Sequence, residues 1–480
     1  MTDARRPQII QGGMGVAVSS WKLAHKVARA GELGVVSGTG LDIVVARRLQ
    51  DGDPDGDLRR ALAAFPVPEV AQEVLDHYFV EGGRDKGQPY VAIPRPSLTE
   101  TLRAQRLQVV ANFAEVWLAK EGHDGLVGVN FLEKIQTPTP WTAYGAMLAG
   151  VDYVLMGAGI PAHIPALLNQ LAGHEVASLP VDVVDALPDE PYSVTIDPLE
   201  VMGGVQLPPL KRPTFLAIVA NHVLAQYLAR DEVTRPDGFV VEAPTAGGHN
   251  APPRGKLVLD DDGQPVYGAR DVIDPTKFAD LGLPFWLAGS WGAPERLREA
   301  LELGAAGIQV GTLFAMSEDS GFRPDIRERL RTSLIDGTLT TRTDPLASPT
   351  GFPFKVAQLP GTLSDLGLRD ARPKVCDLGH LRTPFRRADG KLDYRCASEP
   401  DHMFTRKGGE TAEISGRACL CNALVASAGL PQVRKDGTEE PAIVTLGDDL
   451  AGARILLASH PEGYSATDAI AWLRGETADA

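Results

Sequence analysis

The sequence predicts an α/β fold: a closed (β/α)₈ TIM barrel with a helical insertion and a smaller C-terminal α+β or irregular lid. Three observations predict it. Short apolar runs alternate with amphipathic stretches at helical spacing, the signature of parallel βα units. Eight such runs occur before residue 335, the number that closes this kind of barrel. Beyond that point the alternation stops and the chain turns polar and short-segmented. A 480-residue chain also exceeds what one hydrophobic core usually supports. A barrel over 1–340 and a lid or accessory region over 341–480 are therefore expected.

In order, the first strand is expected at 8–11, ending in Gly12-Gly13-Met14-Gly15, and a helix from about Ser20 places Leu23, Val27 and Ala28 on one face. The second strand is 34–37. Residues 41–122 read as a long helical insertion, too polar and proline-punctuated to supply barrel strands. Strand three is 126–130, a helix covers 142–149, and strand four is 153–156. A proline-rich, hairpin-like stretch over 175–210 reads as a second insertion. Strand five at 215–219 is followed by a helix over 221–230, and strands six, seven and eight are 239–242, 285–288 and 308–310. Residues 340–354 read as a turn-rich linker.

Composition narrows the function classes. With 44% hydrophobic and 23% charged residues the chain is an ordinary globular protein. A net charge of −15 argues against nucleic acid and anionic membrane as partners, since both require a basic face. No apolar run reaches the roughly 20 residues of a membrane span. Met1 leads within seven residues into a strand-like segment, leaving no room for a signal peptide, and four cysteines are too few for a secreted disulfide framework. A cytoplasmic enzyme is the expectation.

Chemistry in parallel barrels sits on the loops after the strands, and phosphates favour those after strands seven and eight. Strand seven ends Ala288-Gly289-Ser290-Trp291-Gly292 ahead of a helix opening at Pro294; strand eight ends Gly311-Thr312. Glycine lets the backbone approach an anion, helix-start N–H groups donate to it, and the Thr312 hydroxyl adds a donor. A lone glycine turn would be commonplace; two bracketing one helix are more specific. After strand six, His249 stands at the tip of Ala246-Gly247-Gly248-His249, where a flexible backbone can project an imidazole that titrates near neutrality.

Ile9-Ile-Gln-Gly-Gly-Met14-Gly, Gly128-Val-Asn130, Ala246-Gly-Gly-His249, Leu287-Ala-Gly-Ser290 and Gly304-Ala-Ala-Gly-Ile-Gln-Val-Gly-Thr312 occur in sequence order. This set resembles the nitronate monooxygenase (2-nitropropane dioxygenase-like) family of FMN-dependent TIM barrels, close to its trans-acting enoyl reductase branch. The resemblance spans roughly 8–320 and implies an FMN site. It implies that Gly12, Gly13 and Met14 line the flavin, that Asn130 lies near its phosphate or ring, and that Gly289, Gly311 and Thr312 hold the phosphate. Gly247, Gly248, Ala288, Ser290 and Gln309 complete the implied lining, although Gln309 reads equally well as an ordinary polar barrel residue. His249 is implied as the group that exchanges a proton with substrate. Thr245 departs from the pattern, standing where the family carries glutamate.

Two enzymatic readings follow. In one, His249 is the general base on an acidic C–H substrate and the flavin is reoxidised by dioxygen. In the other, NAD(P)H supplies electrons for an enoyl thioester, docking transiently because no Gly-x-Gly-x-x-Gly unit opens a helix after a strand. A third reading, of another class, is a catalytically idle flavin- or phosphate-binding subunit of a biosynthetic complex. The partners implied are a small-molecule or acyl-thioester substrate and either an acyl carrier protein or a second copy of the chain. Arg254, in a proline-braced loop, reads mainly as a solvated cation, with binding of an anionic substrate as the alternative.

All four cysteines fall in the C-terminal region. Cys376, Cys396, Cys419 and Cys421 are separated by 19, 22 and 1 residues. Zinc could staple a small unit of this kind, but the paired Cys-x₂-Cys knuckles are missing. Reduced cysteines packed as small hydrophobes are favoured over a metal site, and no metal is expected.

Overall fold

The computed structural model describes residues 6–476, and the expectation about a leader falls largely on residues outside that range. Eight parallel strands close a barrel: β1 (Ile9–Gln11), β2 (Leu33–Ser37), β3 (Val127–Leu132), β4 (Tyr153–Gly157), β5 (Thr214–Val219), β6 (Gly238–Glu242), β7 (Phe285–Ala288) and β8 (Gly307–Val310). Each pairs with its sequence neighbour, and β1 closes on β8 with Ile10 opposite Gln309. All eight expected strands are present.

Strand residues alternate between two cores, as the pleat requires. Ile10, Leu33, Val35, Leu155, Leu216, Val240 and Trp286 form a separate cluster inside the barrel. Their neighbours Ile9, Val36, Val129, Val154, Phe215, Val241 and Leu287 pack outward against helices. Near the bottom, the Trp286 indole N–H donates to the Pro7 carbonyl at 2.8 Å. On the same parity, inward positions towards the ends of β3, β6 and β8 are taken by Asn130, Glu242 and Gln309. The period of two thus carries polar side chains to the barrel mouth.

The stretch between β2 and β3 is helical, as expected, with helices Leu41–Gln50, Asp57–Ala63, Pro68–Tyr78 and Leu102–Lys120. The last of these is no mere insertion. It packs between Trp21–Arg29 and Thr139–Leu148 and occupies a regular place in the outer ring. Thr101 caps it, and its buried Glu115 accepts from Arg48 at 2.6 Å. The second insertion is an antiparallel hairpin, Ala177–Pro180 with Ser193–Ile196.

The region after 340 does not stand apart from the barrel. The expected linker contains the strand Thr341–Asp344, antiparallel to Phe354–Ala357, which in turn pairs with Gly248–His249 from the barrel. Val425, Leu446, Leu456, Ile470 and Leu473 belong to the same continuous core as Ile9 and Leu23. The final helix, Ala466–Leu473, packs against Trp21–Arg29 and Pro294–Glu302, so the chain end fills the ring position between the first and seventh helices. A small second core around Phe354, Val356, Leu363 and Ile443 supports the lid. There Arg369 is fully buried; it donates to the Asp344 carboxylate at 2.8 Å and to the carbonyls of Leu363 and Gly416. No helix among the described residues is long and apolar enough to cross a membrane.

Candidate active site

The strand ends and the lid enclose a cavity of about 240 Å³. The residues that the resemblance assigned to the flavin and to proton exchange all line it: Gly12, Gly13, Met14, Asn130, Gly247, Gly248, His249, Ala288, Gly289, Ser290, Gln309, Gly311 and Thr312. The loop after β1, the ends of β3, β6, β7 and β8, and part of the lid thus converge on one space.

Glycine is required at the floor. A Cβ on Gly13 would stand 2.3 Å from Asn130 Cβ, far inside van der Waals contact. At the β7 end Gly289 and Ser290 both adopt left-handed backbone, with φ of 85° and 59°. A Cβ on Gly289 would meet Ala243 Cβ and Thr245 Oγ1 at 2.9 Å. The chain then turns into the helix Pro294–Glu302, with proline at its first position, where no N–H is needed. Across the cavity Thr312 Oγ1 accepts a hydrogen bond from the Gly447 N–H at 2.8 Å. The hydroxyl proton of Thr312 therefore remains free to donate. No lysine or arginine lines the cavity among the described residues, so an anion there would depend on backbone and hydroxyl donors.

His249 lies on the short strand Gly248–His249, with its ring edge-on to Phe354 at 4.9 Å between centroids. Its Nε2 is 2.8 Å from Ser348 Oγ, which also shares a 2.7 Å contact with Thr350 Oγ1. A hydroxyl serves either tautomer as donor or acceptor, so the ring can exchange a proton without losing this partner. Burial depresses the imidazole pKa to about 4, leaving it neutral at physiological pH. Glu242 lines the same cavity, and burial pushes its carboxyl up to about 8. It is mainly protonated at neutral pH and can act as a hydrogen-bond donor.

Several lining residues carried no sequence signal as site members. Thr445, Leu446, Gly447 and Asp449 come from the C-terminal region, and Thr445 Oγ1 accepts from the Gly248 N–H at 2.7 Å. Glu242 stands at the end of β6. Trp291 lines the cavity and carries Arg296 over its ring. Arg254 is exposed and does not line the cavity, and Lys355 is buried in an ion pair with Asp448 at 2.6 Å.

No family model matches the chain. It is 27% identical over 244 residues to a Mycobacterium tuberculosis protein, (3aS,4S,5R,7aS)-5-hydroxy-7a-methyl-1-oxo-octahydro-1H-indene-4-carboxyl-CoA dehydrogenase; the match covers 46% of this chain and 62% of that relative. Among solved structures, a nitroalkane oxidase from Streptomyces ansochromogenes is similar at 12% identity and TM-score 0.48, over 99% of this chain and 96% of that one. FabK from Thermotoga maritima is similar at 18% identity and TM-score 0.37, over 74% and 72%. The enoyl reductase domain of MlnA from Bacillus amyloliquefaciens is similar at 12% identity and TM-score 0.38, over 74% and 64%.

Proposed function

We propose that the chain is an FMN-dependent oxidoreductase acting on a substrate with an acidic C–H bond, in the manner of a nitronate monooxygenase. The observation that carries this reading is the pairing, in one cavity, of a glycine-built anion cradle with a neutral, hydroxyl-tethered histidine. The residues fit the flavin. Thr245 Oγ1 and Gln309 Oε1 are buried polar atoms in the cavity wall without a protein partner, as expected where a polar ligand completes the set. Gly289, Gly311 and Thr312 would hold the phosphate; Gly12, Gly13, Met14, Asn130, Gly247, Gly248, Ala288, Ser290 and Gln309 would line the remainder. Bound FMN would supply the two-electron acceptor, returned to its oxidised form by dioxygen.

The chain's own groups handle the proton. Neutral His249 accepts it from the substrate carbon. Its lowered pKa keeps the ring unprotonated at neutral pH, in the state that can accept a proton. Protonated Glu242 offers a donor to developing negative charge in a poorly hydrated site. The Gly447–Thr312 and Gly248–Thr445 links fasten the lid to the barrel mouth.

A second reading, reduction of an enoyl thioester with NAD(P)H as transient reductant, is favoured by the carboxyl-CoA thioester in the name of the mycobacterial relative. Anaerobic mixing separates the two: bleaching of the flavin by a nitronate and not by NADPH supports oxidation, and the opposite supports reduction. His249→Asn is expected to slow reduction of the flavin by substrate by about 10²–10⁴-fold, the usual contribution of a general base. Undiminished turnover removes His249 from the mechanism. A colourless chain that cannot be reconstituted with FMN refutes both readings.

A further inference from the structure

The four cysteines lie in the lid, and the fold brings them together. Cys376 is in the loop after helix Leu366–Ala371, Cys396 follows strand Leu392–Arg395, and Cys419 and Cys421 open helix Leu420–Ser427. All four are free thiols and line one small cavity. Cysteines used only as small hydrophobes would fill such a space instead of facing it from three directions. The Asn422 side-chain N–H approaches Cys419 Sγ at 3.8 Å, the kind of contact that tunes a ligating sulfur.

The environment suits a ligated anionic centre. As bare thiols all four resist ionisation. Burial raises each, and neighbouring thiols add to it at Cys396, Cys419 and Cys421. A thiophilic cation reverses that balance. Arg95 and Arg382 stand near Cys376, and Arg372 near Cys419, as cations opposing charge build-up. A single zinc ion would need its sulfurs about 3.8 Å apart, given Zn–S bonds of about 2.3 Å. Among the described residues no three potential ligands are gathered closely enough to hold one ion. An iron–sulfur cubane is wider, and its thiolates stand around a core rather than on one atom.

We propose that Cys376, Cys396, Cys419 and Cys421 ligate an iron–sulfur cluster of the 4Fe–4S type, set in the lid against the main cavity. Cys421 lines both cavities, as do Leu381 and Leu420, so the cluster and the active site share one wall. This assignment is independent of the flavin reading.

The test uses the full chain, purified without oxygen from iron-supplemented cells and, in parallel, reconstituted with ferrous iron and sulfide. About four iron and four sulfide per chain are expected, with a paramagnetic signal after reduction by dithionite. Absence of iron and sulfide in both preparations overturns the proposal, as does one zinc per chain without sulfide. In Cys376→Ser and Cys421→Ser the cluster content should fall at least severalfold while the far-ultraviolet circular dichroism of the barrel persists. Unchanged iron and sulfide in both variants refutes the ligand assignment. If a variant fails to fold, the wild-type metal and sulfide content decides.

Discussion

Glu242→Gln should make the flavin-free chain more stable at alkaline pH than the wild type, relative to the difference between them at acid pH. The ordinary glutamate value is 4.5, and burial in the cavity raises it to about 8. A carboxyl whose folded pKa is raised binds more protons folded than unfolded between those values. Its contribution is therefore fully present below pH 4.5 and is lost as pH rises towards 8. Between pH 5 and pH 8 the loss comes to about 3.5 kcal/mol for a fully shielded group. Partial exposure of Glu242 reduces it to about 2 kcal/mol by solvent screening. Glutamine keeps the shape of the protonated acid and does not titrate. Urea denaturation of both proteins at pH 5, 6, 7 and 8 reads the difference directly. The depressed pKa of His249 lowers stability as pH falls from 6.5 to about 4, equally in both proteins, and cancels. A wild-type-to-variant difference that does not change with pH would show that Glu242 is ionised in the folded chain and would refute the argument.

Gly13→Ala places a methyl 2.3 Å from Asn130 Cβ, and overpacking of about 1–3 kcal/mol should weaken FMN retention by roughly tenfold or more, measured by equilibrium dialysis of released flavin. Ser348→Ala removes the only side-chain hydrogen bond of the His249 ring among the described residues; a loss of about 0.5–1.5 kcal/mol should lower kcat about two- to tenfold with little change in KM, and an unaltered kcat would show that the hydroxyl does not position the ring. Arg369→Ala leaves the Asp344 carboxylate buried without its cation and should cost about 3–5 kcal/mol in urea denaturation, far more than an exposed arginine such as Arg298.

The barrel was legible because its strands are buried on both faces and read as short apolar runs between glycine-bearing turns. The site was legible wherever its chemistry is local: Gly289 and Gly311 sit at strand ends, and His249 follows two glycines in the chain. What escaped the reading is non-local. Ser348 meets His249 across 99 positions and Gly447 meets Thr312 across 135, and no local pattern encodes either contact. Glu242 was visible as an inward strand-end residue, but its raised pKa depends on burial that includes the lid. The helix Leu102–Lys120 was absorbed into an insertion because it is buried nearly all round and lacks the one-sided stripe of a ring helix. The cysteine spacing concealed a convergence that only the tertiary fold produces.

Glu32 joins the start of the first strand to the residue that follows helix Ala466–Leu473. Its carboxylate accepts from the N–H groups of Gln8 and Ile9 at 3.0 and 2.9 Å, and its second oxygen accepts from Arg474 at 2.8 Å. The residues that start the first strand and those just after the last helix are therefore held by one buried side chain. During synthesis the first βα unit emerges with a gap beside its helix that only residues 466–473 fill, more than 430 positions later. The ring can be completed only once residues 466–473 have left the ribosome. Until then the apolar flank of Trp21–Arg29 stays open to chaperones or to a neighbouring nascent chain, so loss of the last dozen described residues should harm folding yield more than their distance from the chemistry suggests.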